Sequence, residues 1–261
     1  MNISASEIYT RLASLTAHAP ESTPSFVDEI STLSPEKREA WAQFLSSIAT
    51  TESIEHTIIA PIAKSYEDQE EVSVYLKSHA QDEQRHYVMI RDYVSSSFHY
   101  VKSRRTGSDV MVYDTLLPQI ARVGTIKPLY FLAMLHFYEA FSVHFYKSLK
   151  RVAEADKLPG LVALIQAIEK DELRHLAGLE GLVLLHHAKK GQPGVLDLLA
   201  MRVLLGLLLI DIKTAPWAFF NRKVRRNVTC IGLIPETMDH DALQAAKHSL
   251  RFVQNPTRRA P

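Results

Sequence analysis

The chain has 261 residues, of which 46% are hydrophobic and 23% charged, and its formal net charge is +1. These values suit a folded globular protein and leave no global charge to attract nucleic acid or an acidic partner. A single cysteine, Cys230, excludes internal disulfides and sites built on several thiolates, and it suits a reducing compartment.

The opening stretch, MNISASEIYTRLASLTAHAP, has neither the basic region nor the apolar run of a signal peptide, so a cytoplasmic protein is expected. Residues 1–33 read as a short helix followed by a linker, HAPESTPSF. From about residue 35 to 190, Gly and Pro are sparse and apolar residues recur at helical spacing. Ser34 and Pro35 fit the N-cap and first position of a helix whose stripe is Trp41, Leu45, Ile48, Ile59 and Ile62, ending near SYEDQ. A second helix is expected from about residue 70 to 101, with Val72, Leu76, Val88 and Tyr93 among its apolar positions. The segment from about 104 to 126 is too long for a tight turn and reads as a crossover containing a short helix. A third helix from about 128 to 154 and a fourth from about 161 to 189 are joined by ADKLPG. Two helical hairpins joined by one long crossover predict an all-α, ferritin-like four-helix bundle over residues 34–190. Residues 191–261 form a C-terminal helical extension expected to pack on it. That extension holds a strongly apolar helix at 195–212, the cluster WAFFNRKVRR and a short helix around HDALQAAKHSLRFV.

The sequence QDEQRH in the second helix has a twin, KDELRH, in the fourth. Each copy places a Glu and a His three apart on one helix face: Glu83 with His86, and Glu172 with His175. A carboxylate and an imidazole so placed can grip one metal ion. A single such pair is common on helix surfaces; two copies in one chain are not. In the third helix Glu139 shares a face with Leu132, Leu135, Val143 and Tyr146, where a lone carboxylate is costly unless paired or bound to metal. It is the natural ligand from that helix. In the first helix Glu52 and Glu55 both fit the apolar stripe. Glu52 lies 31 residues before Glu83, close to the 33 between Glu139 and Glu172, whereas Glu55 lies 28 before, so Glu52 is taken as the ligand and Glu55 as alternative or bridging neighbour. Four Glu and two His form the ligand set of a dinuclear carboxylate site, better suited to iron or manganese than to structural zinc.

On Glu52, DEQRH, Glu139 and DELRH, residues 36–189 resemble the ferritin-like di-iron superfamily. The nearest in style are its O2-activating members: the ribonucleotide reductase small subunit and ligand-binding oxidases related to it, the magnesium-protoporphyrin ester cyclases, and p-aminobenzoate N-oxygenase-like proteins. The resemblance implies that Asp82 and Asp171 each accept a hydrogen bond from the ligand His of the opposite hairpin, fixing its tautomer. Arg85 and Arg174 are placed to pair with these aspartates. Further candidate ligands are His79, four before Glu83, and His136, three before Glu139. N-oxygenase-like proteins use an extra histidine, but on the helix corresponding to the fourth, where this chain has Ile168.

The function this implies is that of a di-iron oxygenase or oxidase, using two Fe ions or a Mn/Fe pair to activate O2 and oxidise an organic substrate. Hydroxylation, desaturation, N-oxygenation and oxidative cleavage all fit. The alternative is iron handling, as a ferroxidase or peroxide scavenger. An unidentified electron donor, a hydrophobic small-molecule substrate and a homodimer are the expected partners. Contact with a membrane surface or carrier protein through 195–226 is the sharper reading of the extension.

Overall fold

The computed structural model describes residues 5–16, 29–64, 66–99, 127–214 and 222–255. Helix α1 (Ala5–Thr16) is followed, beyond a short 3-10 turn at Ile30–Thr32, by α2 (Pro35–Lys64), α3 (Glu70–Phe98), α4 (Pro128–Ala155) and α5 (Pro159–Lys190). The extension contributes α6 (Val195–Thr214), α7 (Arg222–Ile231) and α8 (Pro235–Gln254). The expected crossover helix, the linker HAPESTPSF and the aromatic run WAFF lie outside the described residues.

The start of α2 follows from its sequence. Pro35 occupies a position whose amide would have no helical partner, and Ser34 Oγ accepts from Lys37 N at 3.3 Å. Helix α3 ends at His99, whose left-handed backbone (φ 49°) stops it a few residues before the expected end. The start of α5 is capped from far away. The Glu29 carboxylate accepts from the amides of Gly160 (2.6 Å) and Leu161 (3.0 Å) and from the Tyr93 hydroxyl (2.5 Å). A carboxylate at this end meets the exposed amides and the positive end of the helix dipole. It also ties the segment before α2 to the turn between α4 and α5. At that turn, Asp156 accepts from Lys37 Nζ and from Trp41 Nε1 (2.8 Å).

Helices α2 and α3 pair as one hairpin, α4 and α5 as the other, and α3 also contacts α5. The apolar core is divided in two along the bundle. One cluster gathers Trp41, Leu45, Ile48, Met89, Tyr93, Phe137, Leu149 and Ile165. The other gathers Ile59, Ile62, Val72, Leu76, Leu132, Leu135, Leu179 and Leu182. On α2, α3 and α5 the residues between the two clusters are Glu52 and Glu55; His79, Asp82, Glu83 and His86; Asp171, Glu172 and His175. Glu139 completes this layer from α4 and all of them are buried. Ionisable groups are therefore held in the middle of the bundle with apolar packing on either side, a placement that costs several kcal/mol per ion unless the charges are matched. Gly178 makes room at its edge. A Cβ there would lie 2.1 Å from the Tyr75 ring, whose hydroxyl donates to His175 O at 2.8 Å.

Helix α1 packs on α3 and α5, α7 on α2, and α8 on α4 and α6. Met201 and Leu205 of α6 are buried, while Leu196, Leu199, Val203 and Leu207 form an exposed row along it. Among the described residues, no helix is long and apolar enough to cross a membrane.

Candidate metal centre

Two groups of potential ligands meet in the polar layer. Glu52, Glu83, His86 and Glu172 form one; His79, Glu83, Glu139 and His175 form the other, and within each group one ligand atom per residue lies within 4.8 Å of all the rest. Glu83 is common to both. His86 Nδ1 stands 3.3 Å from Glu52 Oε2, 3.6 Å from Glu83 Oε2 and 3.5 Å from Glu172 Oε1. His175 Nδ1 stands 3.0 Å from Glu83 Oε1 and 3.6 Å from Glu139 Oε2. The six residues expected from the sequence are thus brought together, but not box by box: Glu172 joins the group of His86, while Glu83 reaches both imidazoles.

Of these contacts, only that of His86 Nδ1 with Glu52 Oε2 is a hydrogen bond. Both Glu83 oxygens, Glu139 Oε2 and His175 Nδ1 are buried and have no hydrogen-bond partner. Donor atoms 3.0 to 3.6 Å apart that do not bond each other are arranged around a common third position, the geometry of ligands around a cation. Oxygen-rich sets with one or two imidazoles and no thiolate fit iron or manganese.

The outer nitrogens are anchored across the bundle. His86 Nε2 is 3.2 Å from Asp171 Oδ2 of the opposite hairpin, and His175 Nε2 is 3.3 Å from Asp82 Oδ2. Arg85 donates to Asp82 (2.7 Å) and Asp171 (2.5 Å), and Arg174 to Asp82 (2.6 Å) and Asp171 (2.8 Å), so each arginine bridges both aspartates. Arg174 also donates to Leu15 O at 3.1 Å, tying α1 to this network. Such partners fix which ring nitrogen faces the ion.

The side chains alone divide the carboxylates into two kinds. Burial and the charge of Glu83 push Glu52 up to about 7, against the hydrogen bond from His86. Glu172 is raised by burial and by Glu139, Glu83 and Glu52, and Glu55 by burial and by Glu83, Glu52 and Glu139. Glu83 and Glu139 are held low: burial opposes ionisation, but the pull of His175, His79 and His86 outweighs it for Glu83, and the charges of His79 and His175 bring Glu139 to about 2. His86 and His175 are raised; burial favours their neutral forms, but Asp171, Glu52 and Glu83 around the first, and Glu139, Asp82 and Glu83 around the second, prevail. The carboxylates outnumber the imidazoles available to neutralise them, and positive charge is what the layer lacks.

The remaining candidates separate. Glu55 is buried against the carboxylates but belongs to neither group, so Glu52 is the residue that α2 places there. His136 is a correction to the sequence expectation. Its ring stacks on Phe252 (5.0 Å) and His248 (5.3 Å), its Nδ1 is 2.8 Å from Ser249 Oγ, and it groups with Glu180 and His248 instead. Packing against α8 claims it. Tyr146 was legible only as an apolar stripe position, yet its hydroxyl donates to Glu52 Oε1 at 2.6 Å. Its place two turns after Glu139, on the same face, was the available signal.

The fold and this layer together define a ferritin-like helical bundle with a buried carboxylate–histidine centre. No family model matches the chain, and no curated protein sequence matches it. Solved structures do. The R2-like ligand-binding oxidase from Sulfolobus acidocaldarius is 16% identical, with a TM-score of 0.62 over 99% of this chain and 93% of that one. An R2-like ligand-binding oxidase with an aerobically reconstituted metal cofactor after photoconversion gives a TM-score of 0.68 at 12% identity, over 94% of this chain and 92% of that one. One with an aerobically reconstituted Mn/Fe cofactor gives 0.66 at 13% identity, covering 94% and 91%. This chain shares their fold.

Proposed function

We propose that this protein is a non-haem dimetal oxidase or oxygenase that oxidises an organic substrate with O2. The observation that carries the reading is the pair of buried ligand groups meeting at Glu83. Glu52, His86 and Glu172 would hold one ion, Glu139 and His175 the other, with Glu83 between them. When bound, two iron ions, or a Mn/Fe pair such as the structural neighbours carry, supply the electrons that O2 chemistry requires. The protein's share is placement and exclusion of water. Asp82 and Asp171 keep the imidazoles turned inward, Tyr146 holds one oxygen of Glu52, and the two apolar clusters close the layer on either side. The neighbours' description as ligand-binding oxidases supports a small organic substrate, and the exposed row on α6 supports a contact between two copies of the chain.

The test is O2 consumption by protein loaded anaerobically with Fe(II), or with Mn(II) and Fe(II), in the presence of candidate organic compounds. Consumption that depends on such a compound supports the reading. Fe(II) oxidation that ends in a mineral, with no dependence on an organic compound, would replace it with iron handling.

A further inference from the structure

We infer that His79 is a seventh ligand, so that one of the two ions is held by two imidazoles and the other by one. The inference rests on the dimetal reading above and concerns a residue outside the repeated Asp-Glu-x-Arg-His skeleton.

His79 is fully buried one turn before Glu83, and its Nε2 lies 2.8 Å from Glu139 Oε1 and 3.2 Å from Glu83 Oε1. Its ring stacks on that of His175 with centroids 3.8 Å apart. His79, Glu83 and His86 occupy successive turns of one face of α3, so a single helix offers three donors to the centre.

Hydrogen bonding alone leaves this arrangement unsatisfied. A neutral imidazole has one N–H. If Nε2 carries it, the proton serves Glu139, and Glu83 Oε1 stays buried beside it without a partner. If Nδ1 carries it, that N–H is buried with no acceptor, and a bare Nε2 faces two carboxylate oxygens. A cation between Nε2, His175 Nδ1 and the two carboxylates satisfies these four facing groups together and leaves the Nδ1–H of His79 as the one orphan of the set.

His136 provides an internal control. It is buried one turn before Glu139, and Ser249, His248 and Phe252 draw it away from the layer. Helix spacing does not by itself aim a histidine at the centre, whereas the packing around His79 does. Nitrogen-richer sets bind the later divalent first-row metals more tightly, so the two ions should load in unequal steps.

The experiment uses full-length metal-free protein titrated anaerobically with Co(II), with X-ray absorption counting imidazoles per cobalt. His79→Gln keeps a hydrogen-bonding amide in the same volume. Two bound ions sharing three imidazoles, falling to two in the variant with one step weakened at least about tenfold, are the expected result. Two ions with one imidazole each in the wild-type chain, or an unchanged count in His79→Gln, overturn the assignment. The wild-type count decides the matter even if the variant fails to fold. One bound ion carrying two imidazoles would defeat the dimetal reading and uphold His79; one ion with a single imidazole, or no binding, defeats both.

Discussion

Two places in this bundle bring buried histidine and glutamate together, and they drive the imidazole in opposite directions. At the centre, burial favours neutral His86 and His175, but the surrounding carboxylates raise both above their ordinary value. At the α4–α8 contact, His136 meets burial and a second imidazole, His248, and drops to about 3 despite the charge of Glu139. The helix and the burial are alike; the company differs. A buried imidazole is not by nature a cation or a neutral ring, and the number of acids around it decides which it becomes.

The strongest way to break this contrast is to remove the acid common to both ligand groups. Glu83→Ala should abolish binding of both ions, while Glu52→Ala should cost one, as read by metal content after anaerobic loading. Two ions retained without Glu83 would end the claim that the groups meet there. The outer aspartates come next. Asp82→Asn and Asp171→Asn should each weaken metal affinity by about 10–100-fold, the first through His175 and the second through His86, measured by competition with a chelating dye. Equal effects on both ions in each variant would show that the crossed pairing is not what orients the rings.

The third test concerns pH and lies outside the centre. The His136 value is depressed in the folded chain, so the unfolded chain binds the extra proton between about 6.5 and about 3. Its contribution to stability is complete above pH 6.5 and is lost as pH falls. By pH 5 the loss should reach roughly 2 kcal/mol, at about 1.4 kcal/mol per unit. Between pH 7 and pH 5 the wild-type chain should lose about that much more stability in denaturant unfolding than His136→Phe, which keeps a ring against Phe252 and His248. For His86 and His175 the sign reverses: their stabilisation is present at low pH and fades as pH rises through their raised values. The smallest effect is expected from Tyr146→Phe. It removes one buried hydrogen bond to Glu52 and should lower stability by about 1 kcal/mol in thermal unfolding, with both ions still bound.

The sequence alone determined the four bundle helices, because apolar periodicity and local punctuation are short-range signals: Ser34 and Pro35 open α2, and α3, α4 and α5 lie within a few residues of their expected bounds, whereas α7 read only as part of a basic cluster. It also singled out the six residues that the bundle brings together, because two Glu-x-x-His steps and one carboxylate on an apolar stripe are visible without knowing what faces them. It could not tell which partner each would meet. Both boxes have the same spacing, yet Glu83 reaches both imidazoles and Glu172 joins the group of His86, because antiparallel hairpins cross at a register that no single helix encodes. His79 and His136 each precede a glutamate by about one turn and were indistinguishable in the sequence. Tertiary packing separated them, since α8 offers His136 a hydroxyl and two rings while His79 meets the rings of His175 and Tyr75 and two carboxylates. Likewise Glu29, capping α5 from 131 residues away, was invisible in the sequence, for which long-range partners carry no local pattern.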